Sequence, residues 1–302
     1  MPAADTPGQR LAKLAADELA LLVRELVKAR KGKDAAVHKS RKAIQRLRSL
    51  LRLVRGSHPE WHARVDGQLR QIRRRLGALR DAAVRLDLVR SMLDSPLAGE
   101  QRVAVETAVN TLQAAHKACW EKTDPAFWDR IDRAVARHLA GFEHWPLAGI
   151  SAEAIHLALE KERRKTRLAS AQALGHVRRN HRHDLRRLLR RYAAMRKAAA
   201  FALRQRDPGA TQLVDVAREL GVEGDLWLTA TALRTAAGKE HTRALRGELE
   251  KQRRALCKRH DGELASLRRG LLARKQAGHA ARAKAARKLA KQAAAGPVPQ
   301  AK

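Results

Sequence analysis

The chain has 302 residues, 44% of them hydrophobic, which is enough to bury real cores and excludes a wholly disordered polycation. Its 64 Lys and Arg against 31 Asp and Glu leave a net charge of +33, a burden on any compact state that points to a strongly anionic partner. Aromatic residues make up only 3%, too few to line a groove with stacking platforms for single-stranded bases, so phosphates rather than bases are the expected target.

Taken in chain order, the start Met1-Pro2-Ala3-Ala4-Asp5-Thr6-Pro7 lacks the charged end and apolar core of a signal peptide. No apolar run approaches the roughly 20 residues of a membrane span, and a cytoplasmic protein without a membrane span is expected. Apolar residues recur at helical spacing in nearly every segment, and no alternating run suggests a sheet, so the expected fold class is all-α. Thr6 and Pro7 cap and open a helix to about residue 30, Lys31-Gly32-Lys33 ends it, and Asp34 caps the next. His58-Pro59 opens a third segment that Ser95-Pro96 closes. A fourth spans about 99–123, Asp124-Pro125 interrupts, and a shorter helix over 127–139 leads into Gly141-Phe142-Glu143-His144-Trp145-Pro146.

Ser151 restarts the pattern, with helices expected over 151–174, 175–206, 210–237 with an interruption near Gly224, and 238–276. The basic run His38-Lys39-Ser40-Arg41-Lys42 returns as His183-Asp184-Leu185-Arg186-Arg187, and Leu76-Gly77-Ala78-Leu79-Arg80-Asp81 returns as Leu220-Gly221-Val222-Glu223-Gly224-Asp225. The histidines lie 145 apart and the aspartates 144, and a nearly constant offset between two separate patterns argues for an internal duplication. Halves at about 7–123 and 151–276, joined by a connector at 124–150, are each expected to form a four-helix bundle within one unit over 7–276. Residues 277–302 carry six basic residues and no acid, and read as a flexible or conditionally helical tail.

A turn of 100° per residue places His38, Arg41, Lys42, Arg46, Arg48 and Arg52 on one side of their helix, with Ile44, Leu47, Leu50, Leu51 and Val54 opposite. In the second half His176, Arg179, His183, Arg186, Arg187, Arg190 and Lys197 form a stripe opposite Leu185, Leu188, Leu189 and Tyr192. Solvated faces usually mix signs, yet no acid falls between Asp34 and Glu60, so the first stripe is costly without an anion. Arginine forks, compact lysine charges and titratable histidines together suit a chain of phosphates.

Other residues read as structural. Asp81 and Asp225 are expected to orient the basic faces, and Gly77 and Gly221 to permit close approach or mark a break. His58, His62 and Asp66 are spaced as a metal site would be, but Pro59 puts His58 at a helix start, so no metal or other cofactor is expected. Trp61, Trp120, Trp128, Trp145 and Trp227 are expected in packing, and Cys119 and Cys257 as packed, reduced thiols.

The pattern His38-x-x-Arg41-Lys42-x-x-x-Arg46-x-Arg48, its second copy at His183-x-x-Arg186-Arg187, and the two Leu-Gly-x-x-x-Asp elements resemble the CHAD family, the histidine-containing α-helical domain. The resemblance covers about 7–276 and implies two pseudo-symmetric four-helix bundles around a central basic groove or channel. It implies binding of inorganic polyphosphate and association with polyphosphate granules, through His38, Arg41, Lys42, Arg46, His183, Arg186, Arg187 and Arg190. Some relatives carry a triphosphatase domain with a Glu-x-Glu-x-Lys signature; Glu160-Lys161-Glu162-Arg163-Arg164-Lys165 has the wrong spacing and reads as surface charge. No acidic cluster suited to metal-assisted phosphoryl transfer is visible, so a non-enzymatic module is expected. Histone-like nucleic-acid binding is the alternative, with the tail as an additional route to nucleic acid.

Overall fold

A computed structural model describes residues 5–175 and 179–294, with side chains through Leu271 apart from that of residue 179. Ten α-helices and no strand occur among the described residues, so the fold is all-α. The first half holds α1 (Pro7–Arg30), α2 (Asp34–Leu51), α3 (Pro59–Arg75), α4 (Gly77–Arg90) and α5 (Gly99–Glu121), and the connector holds α6 (Pro125–Ala140). The second half holds α7 (Ala152–Ala173), α8 (Arg179–Ala202), α9 (Gly209–Ala237) and α10 (Arg243–Ala294).

Local chemistry sets these ends. Thr6 accepts a hydrogen bond from the Gln9 amide at 3.1 Å while the Gln9 side chain accepts one from the Thr6 amide at 2.7 Å, a capping box that starts α1. Asp124 and Ser151 accept from the amides of Phe127 and Ala154 at 2.6 and 3.2 Å to start α6 and α7. Gly32, at φ 77, lets the chain turn from α1 into α2. Pro7 and Ala152 start helices 145 residues apart.

Two breaks differ from expectation. The segment foreseen as one helix over 58–95 divides at Leu76, which is fully buried and leaves helical geometry at ψ 3, and Ser91–Asp94 closes it as a 3-10 turn. The interruption foreseen near Gly224 is absent, because α9 runs unbroken from Gly209 to Ala237. The backbone of α10 is helical through Ala294, past residue 276.

Burial organises three cores rather than one per half. The largest packs Leu11, Leu19 and Leu22 of α1 against Ile44, Leu47 and Leu51 of α2, Leu69 and Ile72 of α3, and Ile131 of α6. A second joins α7 to α10 through Ala173, Leu185, Leu189, Leu213 and Leu264. The third crosses between halves, as the first does through Ile155 of α7 and Met195 and Ala199 of α8: Leu86 and Val89 of α4 and Val105 of α5 meet Leu233 of α9 and Leu245 and Leu249 of α10. The tryptophans pack as expected, with Trp61 edge-on to Trp145 at 5.5 Å and Trp120 stacked on Trp128 at 6.5 Å. Cys257 is buried and Cys119 partly so, both as free thiols.

Glu162 and Arg163, foreseen as surface charge, are buried at 3% and 5% exposure. Glu162 receives the Arg191 guanidinium of α8, and Arg163 is held by Glu160 at 2.7 Å, so this run ties α7 into the fold instead of facing solvent.

Candidate functional site

The apolar stripes of α2 and α8 point into the cores, with Ile44, Leu47, Leu185 and Leu189 fully buried, and this turns their basic faces toward a shared space. There α1, α2, α8 and α9 enclose a cleft of about 760 Å³. Lys42 and Arg46 line it from α2, Arg186, Arg190 and Lys197 from α8, and Arg218 and Asp225 from α9. Its floor and lip are apolar, formed by Leu14, Leu50, Phe201, Val214 and Val222.

Each half builds one arginine cradle by the same means. Arg41 Nη1 donates to the Arg73 carbonyl at 2.7 Å, at the open C-terminal end of α3, and a Cβ on Gly77 would lie 3.5 Å from that nitrogen. Burial holds the Arg41 guanidinium below its ordinary pKa, with the Asp81 charge opposing that shift. In the second half a Cβ on Gly221 would meet Arg186 Nη2 at 3.0 Å and Cζ at 3.2 Å, so a larger residue would oblige the guanidinium to shift by a few tenths of an ångström. Burial raises the pKa of the adjacent Asp225 carboxyl against the pull of Arg186 and Arg80. The glycine leaves the guanidinium room, tightly at Gly221 and at ordinary contact distance at Gly77, and the aspartate four residues on sets a carboxyl in its field.

Positive charge exceeds its counter-charge around these cradles. His38 is half-buried, and burial, followed by the charges of Arg80, Lys42, Arg190 and Arg41, pushes its pKa down to about 4. It is therefore neutral at pH 7 and able to donate one ring hydrogen bond, in a field supplied by both halves. Burial, then Arg41, Arg48 and Arg187, pushes Arg73 down to about 10. Arg52 is lowered by burial and by Arg191, and Lys165 by burial with Arg55, Arg191 and Arg52 opposing Glu162. The Nε groups of Arg73 and Arg186 are buried without a protein hydrogen-bond partner. Guanidinium groups held in place, desolvated and crowded by like charge make this region a candidate anion site.

A model of the CHAD domain matches residues 13–234. The chain belongs to the CHAD family. Two solved structures share its fold: PptA from Streptomyces chartreusis, 18% identical with a TM-score of 0.65, covers 87% of this chain and 99% of its own. The CHAD domain from the plant Ricinus communis, also 18% identical with a TM-score of 0.61, covers 90% of this chain and 94% of its own. No curated protein matches the chain.

Within this CHAD fold the expected site residues divide. Lys42, Arg46, Arg186, Arg190 and Lys197 share the cleft, and His38 lies in the field of Arg190. Arg46 is already engaged at the rim, its Nη2 donating to Glu18 at 2.8 Å. Arg48 is drawn away from an open role, because Asp66 accepts from it at 2.7 and 3.0 Å in a pairing that holds α2 to α3. Arg70 joins the same carboxylate, and although burial resists its charge, the two arginines bring the Asp66 pKa down to about 2. Arg52 sits half-buried near Arg191, and Arg187 is exposed, 3.6 Å from Asp184.

His183 is not the counterpart of His38 in environment. It is exposed and borders a separate hollow of about 60 Å³ with Arg182, Arg186 and Trp227, whereas His38 is half-buried. The expected site residue His176 lies outside the described residues, and Arg179 is the first described residue of α8, with its side chain outside them. Arg73, Arg80, Arg191 and Lys165 are not among the site residues expected from the sequence, where Lys165 falls in the run taken as surface charge. Arg80 had a signal, since it lies inside the repeated Leu-Gly element, and Arg191 adjoins the stripe; Arg73 and Lys165 are recruited only by tertiary packing.

Proposed function

We propose that this protein binds inorganic polyphosphate without chemically altering it, and that this binding carries it to cytoplasmic polyphosphate granules. The observation that carries the reading is the placement of Lys42 and Arg46 from one half, and Arg186, Arg190 and Lys197 from the other, around one cleft. A single phosphate could not reach all of them, whereas a chain could meet several in turn, each charge-assisted contact contributing about 1.5–3 kcal/mol. Membership of the CHAD family supports the same ligand. The acids at the cleft serve its cations, Glu18 pairing with Arg46 and Asp225 lying in the field of Arg186, which favours a binding module over a phosphoryl-transfer enzyme.

Charge reversal tests this. Lys42→Glu with Lys197→Glu alters two exposed cleft residues, while Arg64→Glu with Lys122→Glu makes the same charge change at exposed positions away from it. Fluorescence titration across several salt concentrations should show polyphosphate affinity falling at least about tenfold, with a shallower salt slope, only for the cleft pair. Equal losses in both variants would mean that total charge governs binding. The second reading, histone-like contact with nucleic acid, is favoured by the six basic residues and no acid at 277–302. In that case duplex DNA at equal phosphate concentration would displace polyphosphate.

A further inference from the structure

The cleft is more apolar than a naked phosphate chain requires. Phe201 is 47% exposed, Val222 43% and Val214 38%, and all three border the cleft together with Leu14 and Leu50. The other Phe, Trp and Tyr residues are all partly or fully buried, so Phe201 is the most exposed of these rings among the described residues. Inorganic polyphosphate has no surface that would gain from it. Exposed apolar side chains gathered beside a cluster of cations fit a ligand that is anionic along one part and flat and apolar at another.

We propose that the cleft also takes nucleoside 5′-polyphosphates, with the phosphate chain on Lys42, Arg186 and Arg190 and the base laid on the shelf of Phe201, Val214 and Val222. This rests on reading the cleft as a phosphate site. A volume of about 760 Å³ accommodates a ligand of that size, and the shelf lies on α8 and α9, the helices that also supply Arg186, Arg190 and Arg218. A face of one phenyl ring and two valines does not read hydrogen-bonding edges, so adenine and guanine nucleotides bind alike.

The test is calorimetric titration of the full-length protein with adenosine 5′-tetraphosphate and with inorganic tetraphosphate at the same pH and salt. The nucleotide has one ionisable oxygen fewer, so charge alone predicts that it binds more weakly. Base stacking of about 1–3 kcal/mol predicts the reverse, a preference of about 5-fold to 150-fold for the nucleotide. Phe201→Ala, at an exposed position, should bring the nucleotide to the level of inorganic tetraphosphate without changing the latter, and Phe201→Trp should restore the preference. Equal binding of both ligands by the unaltered protein, or a preference that survives Phe201→Ala, overturns the nucleotide assignment and leaves the phosphate site intact. Failure of both ligands to bind overturns the phosphate reading and this inference with it.

Discussion

His38 shows how a residue can be legible as a type and illegible as a state. Its place at the head of the first basic stripe is plain in the sequence, but burial and the charges of Arg80, Lys42, Arg190 and Arg41 hold it neutral down to about pH 4. Its folded-state pKa lies below the ordinary value of 6.5, so the unfolded chain binds more protons between those values and stability declines as pH falls through that window. A bound polyanion reverses the field and favours the imidazolium. Polyphosphate binding should therefore take up protons, and affinity should rise as pH drops from about 6.5 toward 4. His38→Gln should flatten that rise relative to the unaltered protein, measured by titration at matched ionic strength; an unchanged pH profile would place the ligand away from this histidine.

At the scale of elements, the second half depends on a buried polar knot joining α8, α9 and α10. Arg182, at 3% exposure, donates to Glu223 at 2.6 and 2.7 Å and to Asp261 at 2.8 Å, while His260 meets the same Glu223 at 2.7 Å. Burial resists the Glu223 charge, and Arg182 with His260 overcomes it, leaving its pKa below the usual carboxylate value. Arg182→Met keeps much of the side-chain volume but strands that carboxylate, and should cost about 3–5 kcal/mol in urea unfolding. Adding Glu223→Gln to Arg182→Met should recover part of the loss.

None of that knot was legible beforehand, because Arg182 lies one place off the stripe and its partners are 41 and 79 residues away. Helices, by contrast, were readable wherever caps and apolar spacing agreed, as at Thr6-Pro7 and Ser151, while Asp124-Pro125, expected to interrupt, in fact caps and opens α6. The divided segment at Leu76 and the intact α9 at Gly221 show the limit: the same Leu-Gly pair breaks one helix and continues through another, since packing around Arg41 and Arg186 settles it. The cleft lysines and arginines were visible as periodic charge. Arg48 was visible in the same way, and Asp66 withdrew it.

The whole molecule carries +33, and the cleft collects part of that charge from both halves. A ligand that bridges them stabilises only the assembled state, so long-chain polyphosphate should raise the melting temperature far more than orthophosphate at equal phosphate-unit concentration. At a concentration 100 times its Kd the added stability is about 2.7 kcal/mol. Differential scanning fluorimetry showing equal shifts for the two would argue against a chain-spanning cleft.

The third core, built from Leu86, Val89 and Val105 against Leu233, Leu245 and Leu249, bears on the origin of the chain. It packs α4 and α5 onto α9 and α10, the segments that lie about 145 residues further along the chain. A polypeptide bearing only one copy would leave that face bare and would need a second molecule to cover it, as identical subunits do across a two-fold axis. Joining the copies in one gene replaces a meeting that depended on concentration with one inside a single chain. Two like segments in one chain can also differ, as half-buried His38 and exposed His183 do.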